Sequence, residues 1–186
     1  ISARAAQALQ ALECLPKKLR KSSLSYLECQ QCWEALREAA KNLESRLSEI
    51  DHLLNRYREY QAFRLLSAEG VSDALERGRR VLGAVKTSSA PIEGLESFAA
   101  SGAADAFVGA IACVERWHTF LSQDFSGFVF IVNYLERAQE ASARIAADTP
   151  IRVGVSNLQS RLSGWDPARA PEPFTTIRSE FDAWIQ

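Results

Sequence analysis

Cys29 and Cys32 have the spacing of a metal-binding pair. Zinc takes four ligands, and Cys14 could supply a third if the first helix folds back along the second, while Cys113 or His118 could supply a fourth only through tertiary contact. A redox role is the second interpretation, because a thiol near a helix N-terminus has a lowered pKa. The third interpretation, free thiols partly buried on one helix, needs no further residues. We favour it and predict no metal and no cofactor.

His118 and Glu115 lie one helical turn apart in the segment "VERWHTFL". A general base needs a substrate group within reach, and usually a nucleophile that it activates. No G-x-S-x-G, G-x-x-x-x-G-K-[ST], G-x-G-x-x-G or H-E-x-x-H motif accompanies them. We therefore predict that the chain is not an enzyme. A helical active site around His118 and Glu115 is the alternative.

A basic cluster, Arg77, Arg79 and Arg80, lies in "RGRR". The net charge of the chain is −1, and no nucleic-acid-binding motif accompanies the cluster, so we expect a solvated face rather than a nucleic-acid interface. Trp165 and Trp184 are the other candidates for contact with a partner, because tryptophan is enriched at interface hot spots. Both indoles are candidate exposed anchors, and ordinary core packing is the interpretation that we favour for each.

The apolar spacing from position 26 predicts one long helix. Ser25 and Glu28 form a capping box at its start. Steps of three and four then connect a seam without charge: Tyr26, Cys29, Trp33, Leu36, Ala40, Leu43, Leu47, Ile50, Leu54 and Tyr57. Such a seam is typical of coiled-coil-like packing. All nine glycines lie between Gly70 and Gly164, so we expect this helix to reach Glu69, roughly 65 Å at about 1.5 Å per residue.

The rest of the chain has the pattern of shorter helices. Ser72, Pro91, Asp124 and Pro150 mark helix starts, and a further amphipathic helix precedes Asp124. The segment "WDPARAPEP" holds three prolines and predicts a loop, which is followed by a last helix, "FTTIRSEFDAWIQ".

We therefore predict an all-α fold of about seven or eight helices. Residues 1–69 form a long coiled-coil-like helical hairpin, and residues 70–186 form a smaller bundle. The hairpin packs on the bundle or projects from it.

Composition suggests where such a chain occurs. It begins at Ile1 and holds no methionine, which suggests a part excised from a larger protein. Seventeen arginines against five lysines, with abundant alanine, suggest a bacterial source. Its apolar stretches are shorter than the roughly 20 residues that span a membrane. Four cysteines in 186 residues fit free thiols in the cytoplasm.

These features favour a non-catalytic helical module for protein–protein interaction or scaffolding. Its partner is another protein, or a second copy of the chain, bound through helical faces. One alternative is a metal- or thiol-dependent protein that uses the Cys29 and Cys32 pair. Another is a helical arm of a larger nucleotide-driven machine or of a bacterial effector.

Overall fold

The computed structural model describes residues 26–87, 103–143 and 149–186. These residues are helical, as predicted, and hold no strand beyond an isolated bridge between Leu66 and Trp165. Their helices are α1 (Tyr26–Tyr57), a 3₁₀ turn η1 (Gln61–Leu65), α2 (Ala68–Thr87), α3 (Ala103–Thr119), α4 (Phe125–Ser142), α5 (Pro150–Leu162) and α6 (Phe174–Ile185). The helices predicted before residue 25 and at Pro91 lie outside the described residues. Within the described part, no helix has the length and apolar character that crossing a membrane requires.

The central part of the α1 seam faces inward. Its members from Trp33 to Ile50 are buried: Trp33, Leu36, Ala40, Leu43, Leu47 and Ile50. The prediction that the helix continues to Glu69 is wrong, because α1 ends at Tyr57. There the Tyr60 N–H bonds the Tyr57 carbonyl at 3.0 Å, three residues back, and the chain turns into η1. The apolar seam loses its continuation at the same point, since Gln61 and Arg64 would occupy the next positions.

Ser67 starts α2. Its hydroxyl accepts a hydrogen bond from the Gly70 N–H at 3.0 Å, which is the standard N-cap interaction. The predicted stop at Gly70 and start at Ser72 are therefore both wrong, since Gly70 lies within the first turn of α2. The sequence contains little indication of this cap. A capping box requires a glutamate or glutamine three residues after the serine, and Gly70, which stands at that position, has no side chain to bond back to Ser67.

Asp124 does not start a separate helix, contrary to the prediction. Helices α3 and α4 are joined by a π-helical turn, Phe120–Asp124, so the chain is helical from Ala103 to Ser142. The Asp124 side chain makes no capping hydrogen bond. A π-helical turn adds one residue to a helix, and it changes which residues face the core on either side.

The last two helices confirm their predicted starts and the loop between them. Pro150 opens α5, and α6 begins at Phe174 after the proline-rich loop. The start of that loop is fixed by backbone pairing: the Trp165 N–H donates to the Leu65 carbonyl, and the Ser67 N–H donates to the Trp165 carbonyl, each at 2.9 Å.

The chain divides into two compact units, and each takes residues from before and after position 69. The described part of the first unit is 26–49, 73–87 and 103–115; that of the second is 50–72, 116–143 and 149–186. Most large side chains buried in the first unit are aliphatic, including Leu36, Leu43, Leu47, Val81, Leu82, Val85 and Val114. The second unit has a core rich in aromatic rings: Trp117, Phe120, Phe125, Phe128, Trp165, Phe174 and Phe181.

Candidate functional site

The cysteine pair lies at the start of α1, with Cys29 and Cys32 one turn apart in its first two turns. Cys14, the third candidate ligand, lies outside the described residues. Among the residues that the structure describes, no group of three or more histidine, cysteine or acidic side chains is placed to hold a metal ion. Cys113 is a half-buried thiol in the first unit, where it acts electrostatically on Arg77.

Glu115 faces an arginine of its own unit: its carboxylate lies 3.5 Å from the Arg46 guanidinium. Arg46 also bonds Glu49, so the three residues form a charged cluster of the first unit. His118, in the second unit, is half-buried, and its backbone carbonyl accepts a hydrogen bond from the Ser122 hydroxyl at 2.7 Å. The contacts of Glu115 are those of a structural ion pair.

The basic cluster on α2 is largely neutralised by its own helix. Arg77 bonds Asp73 at 2.7 Å, and Arg80 bonds Glu76 at 2.5 Å, both across one turn. The hydrogen bond and charge of Asp73 raise the pKa of Arg77 above its ordinary value. Arg79 is exposed beside them. Paired charges of this kind form a solvated face, and they weaken the field that would attract a phosphate backbone.

The two candidate tryptophans differ. Trp165 is packed in the core and is not an exposed anchor, because only 5% of its surface is accessible. Its ring lies 6.1 Å from that of Phe174 and 6.3 Å from that of Phe120, inside the aromatic core. Its Nε1 is buried, and no described residue accepts its hydrogen bond. Trp184 is half-buried on α6, so part of its indole is accessible to a partner.

The first half of helix α4, as far as Leu135, is apolar on more than one side, which normally indicates a helical segment surrounded by protein. One side fits that expectation, because Phe128, Ile131 and Leu135 are buried. On the other side Phe130 is 58% exposed and Tyr134, one turn later, is 40% exposed. Helix α4 therefore presents two large aromatic side chains to solvent.

The exposed rings of Phe130 and Tyr134 pack against aromatic side chains of α6. Phe130 and Tyr134 both meet Phe181 nearly perpendicularly, with ring centroids 6.1 Å and 5.2 Å away. Tyr134 also meets Trp184 edge to face at 6.2 Å. Edge-to-face contacts of this kind contribute about 0.5–1.5 kcal/mol each beyond the area they bury. We call the surface formed by Phe130, Tyr134 and Trp184, which rests on the buried ring of Phe181, the α4–α6 surface.

Gly154 of α5 lies against the Trp184 indole of this surface. A Cβ placed on Gly154 would lie 2.5 Å from Nε1 of Trp184 and 3.1 Å from its Cε2, which is too close for any real side chain. The indole of Trp184 can therefore rest against the backbone of α5 because residue 154 is glycine. This contact restricts the position of the Trp184 ring.

A cleft of about 230 Å³ opens between α4 and α6 beside the exposed rings. Buried Ile131 and Phe181 line its base together with Gly127, and Phe130 lines its side. Its polar lining groups are Ser126, Arg178 and Asp182. We call this space the α4–α6 cleft.

The charged groups of the cleft have no ion-pair partner. Within the described part of the chain, neither the Arg178 side chain nor the Asp182 side chain forms a hydrogen bond or a salt bridge, although they lie one turn apart on α6. The Arg178 Nη1 lies 3.7 Å from where a Cβ on Gly127 would be, so the guanidinium reaches across to α4. Burial raises the pKa of Asp124, and the charge of Arg178 opposes this by a smaller amount.

Sequence reasoning singled out only Trp184 from the α4–α6 surface and missed Phe130, Tyr134 and Arg178. A signal for the two rings was present, because "FSGFVFIVNYL" is apolar over more than one helical face. A helix in a small unit of this kind has neighbours on only some sides, so some of its apolar residues must remain exposed. No comparable signal marks Arg178, because its position depends on how α4 and α6 pack.

Comparison with known proteins provides no relative from which a function can be inferred. The chain matches no protein family, no curated protein and no solved structure. Its function must therefore be inferred from its own residues.

Proposed function

We propose that this chain is a non-catalytic helical module that binds another protein, and that the α4–α6 surface contacts a helix of that partner. The observation that supports this most is the exposure of Phe130 and Tyr134 in the apolar first half of α4. Contiguous exposed apolar surface on a folded protein commonly marks a contact site.

The geometry of the rings favours specific binding over nonspecific hydrophobic association. Phe130 and Tyr134 are each packed edge to face on Phe181, so their orientations are restricted before a partner arrives. Side chains that are already ordered lose less entropy when an interface forms. Covering the exposed part of Phe130 alone would contribute roughly 1–2 kcal/mol.

The groove between two helices also suits a third helix. Phe130 and Tyr134 lie one turn apart on α4, and Phe181 and Trp184 are spaced by three residues on α6. An amphipathic helix places its apolar residues at the same intervals, and helix-in-groove binding depends on this match.

For the first unit we propose a supporting role, in which α1 packs lengthwise in coiled-coil fashion. The buried seam from Trp33 to Leu47 supports this arrangement. Close contact with α2 also supports it, because a Cβ on Gly78 would lie 2.8 Å from a methyl group of Leu47. We regard this unit as the scaffolding part of the module.

Photo-crosslinking in the cells that produce the chain tests the binding proposal. Benzoylphenylalanine replaces Phe130 in one variant and Tyr134 in a second. It replaces Tyr60, an exposed aromatic residue outside the α4–α6 surface, in a control. We expect one discrete adduct with a different protein from positions 130 and 134, and none from position 60.

The same experiment has outcomes that would overturn the proposal. The absence of an adduct from both positions 130 and 134 would remove the α4–α6 surface as a binding site. An adduct with twice the mass of the chain would replace the foreign partner by a second copy. Equal adducts from positions 60 and 130 would indicate unspecific contact.

A further inference from the structure

We propose that the α4–α6 cleft selects a partner helix that inserts one bulky apolar side chain beside Phe130 and places a carboxylate on Arg178. This inference rests on the proposed function, because it names the chemistry of the partner that the α4–α6 surface would bind. Three features of the cleft support it: its size, its unpaired cation and the order of its charges.

The size of the cleft fits one large side chain. Its volume is about 230 Å³, and an apolar cavity of about 150 Å³ is known to accept a benzene molecule. Buried Ile131 and Phe181 at its base offer apolar contact. A leucine or phenylalanine side chain would therefore fit in this space beside the exposed ring of Phe130.

Arg178 supplies the charge that selects a carboxylate. Its guanidinium is exposed, lies over Gly127 at the cleft, and makes no hydrogen bond or ion pair with any described residue. A guanidinium offers planar, paired donors that match the two oxygens of a carboxylate. Asp124 is close enough for its pKa to be affected by Arg178 but forms no ion pair with it. The guanidinium donors therefore remain available for a partner.

Asp182 determines which way the partner can lie. It also lines the cleft, one turn beyond Arg178 on α6. A partner carboxylate is attracted at the Arg178 end and repelled at the Asp182 end, so the pair of charges favours one direction of the bound helix. The expected partner has an acidic residue one turn from its inserted apolar residue, with a neutral or basic residue on the other side.

Two small probes test the selectivity of the cleft without knowledge of the partner. N-acetyl-phenylalanine carries a ring and a carboxylate, and N-acetyl-phenylalanine amide carries the same ring without the charge. Binding is followed by NMR through the backbone amide signals of Gly127 and Ile131. We expect the acid to bind about fivefold more tightly than the amide, the upper range for an ion pair at a protein surface.

Variants identify the group responsible. Arg178→Gln should abolish the preference for the acid over the amide. Arg137→Gln, which removes an exposed arginine of α4 that does not line the cleft, should leave the preference intact. Asp182→Asn should keep or increase it.

The outcomes separate this inference from the proposed function. Equal binding of acid and amide to the wild type would overturn the selection of a carboxylate, while crosslinking from position 130 could still succeed. No shift at Gly127 or Ile131 with either probe would overturn the cleft as a binding site. A preference that survives Arg178→Gln would overturn the role of Arg178.

Discussion

The two compact units differ in what fills their cores and in what they leave at the surface. In the first unit most large buried side chains are aliphatic, and the outer charges of α1 and α2 pair along their own helices, as Arg77 does with Asp73. In the second unit a cluster of seven aromatic side chains is buried among the aliphatic ones. Among the described residues, every large hydrophobic side chain that is exposed belongs to the second unit: Tyr60, Phe130, Tyr134, Ile151, Val153 and Ile185.

This difference follows from how the two kinds of side chain pack. Leucine and valine at steps of three and four form narrow ridges that cover one another along a pair of helices, so a regular seam can bury all of its members. Aromatic rings are larger and meet edge to face, and some of those clustered on α4 and α6 keep part of their surface accessible. The aliphatic unit uses its apolar surface internally, whereas the aromatic unit retains some for a partner.

The largest effect that we expect comes from the centre of the aromatic core. Phe120 is 2% exposed, and the centroids of five other aromatic rings lie within 6.4 Å of its own. Phe120→Ala should lower the free energy of unfolding by about 3–5 kcal/mol, because it removes a ring and leaves a cavity. Urea denaturation followed by tryptophan fluorescence measures the change.

Phe130→Ala is the matched control for this substitution. It removes the same ring from a position that is largely exposed, so we expect a cost of less than about 1 kcal/mol. Equal losses from Phe120→Ala and Phe130→Ala would contradict the distinction between core rings and surface rings.

An intermediate effect is expected in the first unit, where two glycines of α2 have different surroundings. A Cβ on Gly78 would lie 2.8 Å from a Leu47 methyl, whereas a Cβ on Gly83 would meet no described atom within 4 Å. Gly83→Ala should stabilise the chain by about 0.5–1 kcal/mol through helix propensity. Gly78→Ala gains the same propensity but forces Leu47 aside, at a cost of about 1–3 kcal/mol.

Thermal unfolding of the two alanine variants, measured side by side, tests this difference. We expect the melting temperature to decrease in the order Gly83→Ala, wild type, Gly78→Ala. If Gly78→Ala is as stable as Gly83→Ala, the contact between α1 and α2 is looser than the structure describes.

The smallest effect concerns Asp124. Burial raises its pKa, so the folded state holds the proton more tightly than the unfolded state does. The ionised carboxylate therefore lowers the free energy of unfolding once the pH rises through the raised pKa. Below the ordinary pKa of about 3.9 the carboxyl is neutral in both the folded and the unfolded state, so this loss of stability is absent.

Asp124→Asn should accordingly raise the melting temperature by about 1 °C near pH 7, the effect expected of a surface substitution. It should have no effect near pH 3, where the native carboxyl is also neutral. A variant that is less stable than the wild type near pH 7 would show that the charge of Arg178 outweighs burial at this site.

The regular parts of the fold could be predicted from the sequence. The seam of α1, the start of α5 at Pro150 and the last helix each rest on a local pattern: apolar spacing, a first-turn proline, or a helix after a proline-rich loop. These patterns depend on residues close together in the chain, and they specify the helix that contains them.

The features that could not be predicted depend on contacts between distant segments. Trp165 is buried because its backbone pairs with Leu65 and Ser67, about a hundred residues earlier. The end of α1 at Tyr57 had only the weak signal of polar residues at the next seam positions. The α4–α6 cleft exists because Gly127 and Arg178 meet across two helices, and neither residue has a pattern that indicates the other.

The π-helical turn at Phe120–Asp124 fixes the rotational phase of α4. Each α-helical residue advances the side-chain direction by about 100°. Loss of one residue from this turn would give Ile131 the outward direction of Phe130 and Val129 the inward direction of Phe128. An insertion or deletion of one residue here could therefore create or erase the aromatic face without any substitution on it, so related chains that differ in length at this turn would present different surfaces.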